Sequence, residues 1–171
     1  MFEKSNIKIF KLLNQKKVSY LLVGVYAIDH YTDDPSTGFH TFDCDILIKP
    51  TPKNLLTVLR ILEKLGYNLE VNKEPLGGLD MWLTKRVVEH RAVINAKKIN
   101  EMPLDIIMDA GRIPYSEWEK GKKEFIVDRV KVNVGDLKHL IRAKENSNRE
   151  KDRKFLQLYK IQLKEMLKTT K

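Results

Sequence analysis

Apolar positions at Ile7, Ile9, Phe10, Leu12 and Leu13 recur at helical spacing and predict a helix over residues 7–16. The run VSYLLVG, residues 18–24, is short, β-branched and aromatic and closes on glycine, as a buried strand does. VYAIDHY then reads as a short helix, and the polar TDDPSTGF, residues 32–39, as loop. A strand is expected over 41–48. Residues 51–66 carry full helix punctuation: Thr51 as N-cap, Pro52 in the first turn, an apolar stripe at Leu55, Leu56, Leu59 and Leu62, and Gly66 as the stop. Residues 67–71 and 79–83 read as strands around Gly77-Gly78, whereas 86–96 has no clean period. PLDIIMDAG, residues 103–111, is a strand ending in a turn, and residues 124–135 form a hairpin or one bent strand. From Asp136 the period is helical, with Leu137, Leu140 and Ile141 on one stripe. Ser147 with Glu150 reads as a capping box for a final helix bearing Phe155, Leu158, Tyr159, Leu163 and Met166.

These elements predict an α/β fold of the α+β kind: a mixed sheet flanked by helices, then a two-helix extension. Residues 1–135 form the main unit and 136–171 a helical segment packed on it. The 171 residues, 42% of them hydrophobic, suffice for a real core. No apolar run reaches the ~18 residues of a membrane span, and the first residues lack a cleavable signal, so a cytoplasmic protein without a membrane partner is expected. One cysteine, Cys44, excludes an internal disulfide, and four scattered histidines make a zinc cluster a poor reading. Any metal would be held by oxygen. The net charge is +9, of which +7 falls on residues 137–171, so a polyanionic partner would meet the C-terminal segment.

Against that background TFDCD, residues 41–45, stands out. In a strand, Thr41, Asp43 and Asp45 share one face and Phe42, Cys44 and Ile46 the other, the apolar set going into the core. Two carboxylates on one face repel unless solvated, counter-charged or bound to a cation, and a hard divalent ion such as magnesium suits oxygen ligands. An isolated Asp-x-Asp, taken alone, reads as a solvated strand edge whose acids serve solubility. Two neighbours change the balance. The strand-to-helix turn at Gly24 can receive phosphate oxygens on free amides, and Asp105, in the strand LDIIM, would bring a third carboxylate if its strand paired beside 41–48. Three acids and a phosphate-receiving turn suit metal-assisted phosphoryl transfer. Asp109 is a rival third acid, although its place before Gly111 suits a turn. Trp82, Trp118 and Tyr115 could stack a base, but core or surface packing is the better reading.

Val23-Gly24-Val25, Thr41-Phe42-Asp43-Cys44-Asp45 and Leu104-Asp105-Ile106, in this order, resemble the nucleotidyltransferases of the polymerase-beta superfamily. KPTPKNLLTVLRIL after the acids and DLKHLIRAKENSNREKD from Asp136 to Asp152 are similar to small stand-alone members, among them abortive-infection toxins. The resemblance implies that Asp43 and Asp45 ligate Mg2+ (or Mn2+), and that Asp105 completes the metal site and aligns or deprotonates the acceptor hydroxyl. It further implies that Gly24, Val25, Thr41, Lys144 and Arg149 meet the nucleoside triphosphate, and that Asp152 pairs with a nearby base. Val25 stands where the family has a second small residue, and Phe39, beside His40, where it often has arginine. The implied activity is transfer of a nucleoside monophosphate to an unidentified acceptor: an RNA end, a small molecule or a protein side chain. A toxin with an antitoxin partner belongs to the same expectation. The competing readings are a binding module that has kept the fold and lost catalysis, and a basic RNA-binding protein.

Overall fold

The computed structural model describes residues 4–32 and 35–170. Helix α1 (Lys4–Gln15) leads into β1 (Tyr20–Val23), α2 (Gly24–Asp29), a 3-10 turn at Pro35–Thr37 and β2 (Cys44–Ile48). Next come α3 (Pro52–Lys64), β3 (Asn68–Val71), β4 (Glu74–Pro75), α4 (Met81–His90), β5 (Ile94–Lys97) and β6 (Leu104–Ile107). The chain continues through α5 (Tyr115–Gly121), β7 (Lys123–Val127) and β8 (Val130–Val134) to α6 (Leu137–Ser147), α7 (Glu150–Leu158) and α8 (Lys160–Thr169). The middle of the expected 32–39 loop lies outside the described residues.

The strands form one mixed sheet in the order β4-β3-β5-β6-β2-β1-β8-β7. The interior strand β1 is antiparallel to β2 and parallel to β8, and β2 is parallel to β6. All four residues of β1 are buried, as a strand covered on both faces requires. On one face Phe10 of α1 stacks on Tyr20 with ring centroids 5.7 Å apart, and α3 packs against α1. Helix α3 starts as its sequence dictates, with the Thr51 hydroxyl accepting from the Asn54 amide, and the chain leaves it through Gly66 at φ +84. The hairpin between β7 and β8 turns on Asp128 and Arg129, both at positive φ. No helix among the described residues is long and apolar enough to cross a membrane.

Four local expectations need correction. Residues 79–83 are not a strand: Asp80 accepts from the Leu83 amide at 2.8 Å and caps α4, a local signal that outweighs the apolar residues around it. Strand β2 begins at Cys44, so residues 41–43 precede the ladder and Phe42 stands 91% exposed instead of entering the core. Ser147 ends α6 rather than capping the next helix; Asn148 turns the chain at φ 48 and the Ser147 hydroxyl donates to Asp152. The final helix is bent at Tyr159, giving three C-terminal helices where two were expected.

Asp152, 1% exposed, ties α6 to α7 as the sequence anticipates. It accepts from Lys144 Nζ at 3.0 Å, from Arg149 Nε at 2.7 Å and from Ser147. Burial alone would push its carboxyl up, but these three donors outweigh burial and hold it at about 2. Asp152→Ala, which strands a buried ammonium, is expected to cost about 3 kcal/mol in urea unfolding at pH 7. Because the folded carboxyl lies below its ordinary value of 3.8, this stability is present above that pH and is lost as pH falls toward about 2. The gap between wild type and variant should therefore close in acid.

Candidate active site

The parallel pairing of β2 with β6 sets Asp45 directly opposite Asp105. Paired strands lie ~4.8 Å apart, and residues in register point to the same face. The sheet thus places side by side the two acids that 60 residues separate in sequence. Asp43 comes just before the ladder, where the Thr41 hydroxyl donates to its Oδ1 at 2.8 Å. Thr41 therefore orients an acid.

Gly24 explains how the third wall of the site can come close. It lies at φ +75, and a Cβ built there would sit 2.1 Å from Asp45 Oδ2, deep inside van der Waals contact. A side chain at position 24 would displace the carboxylate or the turn. Val25 is half-buried against the core. Burial, and then the negative charges of Asp43 and Asp105, push the Asp45 carboxyl up to about 6, while Lys144 and Lys151 pull the other way. The three acids feel one another, as carboxylates awaiting a counter-charge do.

The structure places both expected cations at the α6–α7 junction. Lys144 and Arg149 both engage Asp152, and the Lys144 ammonium also lies 4.8 Å from the centroid of the Phe155 ring. Lys144 still acts electrostatically on Asp45, but its hydrogen bond is to the helix junction. Lys151, exposed at the start of α7, acts on Asp45 as well. It stands in the quoted C-terminal motif one residue before Asp152, the only sequence signal pointing to it.

Phe39 is buried, its ring 5.4 Å from Phe155 and 4.7 Å from Tyr159 by centroids, so the position holds the loop to the C-terminal helices. His40 is exposed beside it. Asp109 serves a turn, accepting from the Arg112 amide at 2.9 Å and from Arg91 at 3.4 Å. Trp118 is fully buried and donates to the Ala110 carbonyl, Tyr115 is half-buried, and Trp82 is 71% exposed on α4. One polar residue escaped the sequence reading: Asn95 on β5 pairs in register with Asp105 and donates Nδ2 to its Oδ1 at 2.7 Å. It lies within the stretch whose periodicity is indecisive.

Among the described residues no three His, Cys, Asp or Glu side chains are gathered as a ready metal-binding group. The donor chemistry nevertheless fits a hard divalent ion. Asp43 and Asp45 offer carboxylate oxygens, and a cation there would offset the burial and the repulsion that together raise Asp45. Asp43 and Asp45 could hold such an ion, with Asp105 beside them and further oxygens supplied by a substrate.

Neither a protein-family model nor a curated protein sequence matches the chain. Solved structures do. The crystal structure of the lincosamide antibiotic adenylyltransferase LnuA, lincomycin-bound, is similar at a TM-score of 0.59 and 18% identity over 94% of this chain and 98% of that one. The antibiotic-resistance factor ANT(2'')-Ia matches at 0.49 and 14% identity over 82% of this chain and 70% of that one. An antigenic nucleotidyltransferase-like protein from Paracoccidioides brasiliensis matches at 0.48 and 13% identity over 88% and 70%. With its mixed eight-stranded sheet and the full-length likeness to the lincosamide adenylyltransferase, the chain has the nucleotidyltransferase fold.

Proposed function

We propose that the protein is a divalent-metal-dependent nucleotidyltransferase that moves a nucleoside monophosphate from a nucleoside triphosphate to an acceptor hydroxyl. The observation that carries the reading is the register pair Asp45–Asp105, with Asp43 oriented by Thr41 and Gly24 pressed against Asp45, in a nucleotidyltransferase fold. Asp43 and Asp45 would hold Mg2+ or Mn2+, which when bound neutralises triphosphate charge and polarises the reacting phosphoryl group. Asp105 receives the proton of the acceptor hydroxyl. The freed oxygen bonds to the α-phosphorus as the bond to the β-phosphate breaks and pyrophosphate leaves. Lys151, exposed and acting on Asp45, offers positive charge to the phosphates, with Lys144 behind it on Asp152.

An RNA end, a small molecule and a protein side chain all present a hydroxyl. The likeness to an enzyme bound to lincomycin puts small hydroxylated molecules first in a screen, and the basic C-terminal segment puts RNA second. A second reading, a binding module without catalysis, draws support from Lys144 and Arg149 being held by Asp152. An antitoxin-like partner would fit that reading and the enzymatic one.

Two measurements bear on the site, the first of them separating these readings. Magnesium with a mixture of nucleoside triphosphates should raise the melting temperature of the wild type by several degrees and leave Asp43→Ala with Asp45→Ala unmoved. Equal behaviour of both proteins would sink the enzyme reading. The second concerns pH. The Asp45 carboxyl is raised in the fold and ordinary, at 3.8, in the unfolded chain, so stability falls as pH rises from 3.8 to about 6 and the full penalty persists above. In EDTA, Asp45→Asn should therefore stabilise the protein by about 2 kcal/mol at pH 7.5, and the gain should vanish below pH 4. Chemical unfolding at the two pH values checks it.

A further inference from the structure

Asn95, Asp105 and Asp45 lie in one row across β5, β6 and β2, each in register with the next. Asparagine is depleted in strands, where β-branched residues pack better, so its place beside an acid calls for a chemical account. The backbone ladder between β5 and β6 forms whatever side chain stands at 95. What the amide adds is one hydrogen bond, Nδ2 to Asp105 Oδ1 at 2.7 Å. An ionised carboxylate only accepts, so the amide must turn its nitrogen toward Asp105. The hydrogen bond fills one of the two carboxylate oxygens and fixes the plane of the group. The other oxygen, Oδ2, is left for the site.

We propose that Asn95 is a positioning residue for the transfer reaction: its side-chain amide pins Oδ1 of Asp105, so that Oδ2 alone is presented to the acceptor hydroxyl. The assignment rests on the nucleotidyltransferase reading, and it concerns a residue absent from the motifs that led to that reading. A carboxylate free to rotate beside Asp45 would turn away from its like-charged neighbour. The amide prevents this from the far side of the row, and a partner that orients a reacting group in this way is commonly worth 10–100-fold in activity.

The test uses the full chain with Asn95→Leu, which keeps the number and branching of the side-chain heavy atoms and removes the donor, and Asn95→Asp, which keeps the shape and replaces the donor with an acceptor. Crystal structures of both variants should show the Asp105 carboxylate rotated away from its wild-type position or split between two conformers. An unmoved Asp105 in both would overturn the proposal, whether or not the protein is an enzyme. In magnesium-dependent turnover of α-labelled nucleoside triphosphates with water as acceptor, kcat should fall 10–100-fold in both variants. KM for the nucleotide and the melting temperature should stay near wild type in Asn95→Leu, which adds no charge. Wild-type kcat in both variants, or a loss in Asn95→Leu that follows KM and melting temperature together, would also overturn it. A wild type that turns over no nucleotide counts against the nucleotidyltransferase reading, and the position of Asp105 in the crystals then decides the role of Asn95.

Discussion

Everything proposed for this protein depends on one unfavourable contact, the facing of Asp45 and Asp105 across the parallel β2–β6 pair. Like charges directly opposite in a sheet destabilise it, and Asp105 adds to burial and to Asp43 in pushing the Asp45 carboxyl up. The rest of the sheet holds the pair. Buried Cys44, Ile46, Leu104 and Ile106 on the other face lock the register, since a one-residue slip would send the acids into the core and the apolar side chains to the surface. Gly24 closes the site from the β1 side and Asn95 from the β5 side. The repulsion is stored in a framework too well packed to release it.

The C-terminal helices divide their basic residues between two tasks. Lys144 and Arg149 neutralise a buried acid and so join α6 to α7, while Lys151 stays in solvent near the carboxylates. Net charge does not distinguish these uses. A surplus of lysine and arginine over residues 137–171 describes both a solvated surface and a phosphate-facing one, and only the position of Asp152 sorts them.

The sequence made the fold legible where local rules and tertiary structure agree. Thr51, Pro52 and Gly66 bound α3 as written, and the run of residues 18–24 contains the fully buried strand β1. The acids were legible because a strand periodicity collides with two carboxylates, a conflict that usually marks function. Illegible were features that depend on partners distant in sequence. Phe42 follows strand alternation on paper and is exposed because the ladder starts two residues later. Phe39 departs from the family pattern, and its aromatic contacts with Phe155 and Tyr159 supply the reason. Asn95 has no local signature, since its meaning lies in a residue ten positions away across a strand pair.

The clasp around Phe39 has a bearing on how the site comes into being. Phe39 meets Phe155 and Tyr159, and Gln162 donates to the Thr37 carbonyl at 2.8 Å, so the segment leading to Thr41 and Asp43 is secured by residues more than 110 positions downstream. Closing contacts over such a distance is entropically expensive and comes late in folding. On the ribosome, the strands bearing Asp45 and Asp105 emerge before the helices that fasten the loop ahead of Asp43. A chain synthesised only as far as β6 therefore carries these acids without the clasp ahead of Asp43, which forms once residues 155–162 have been made.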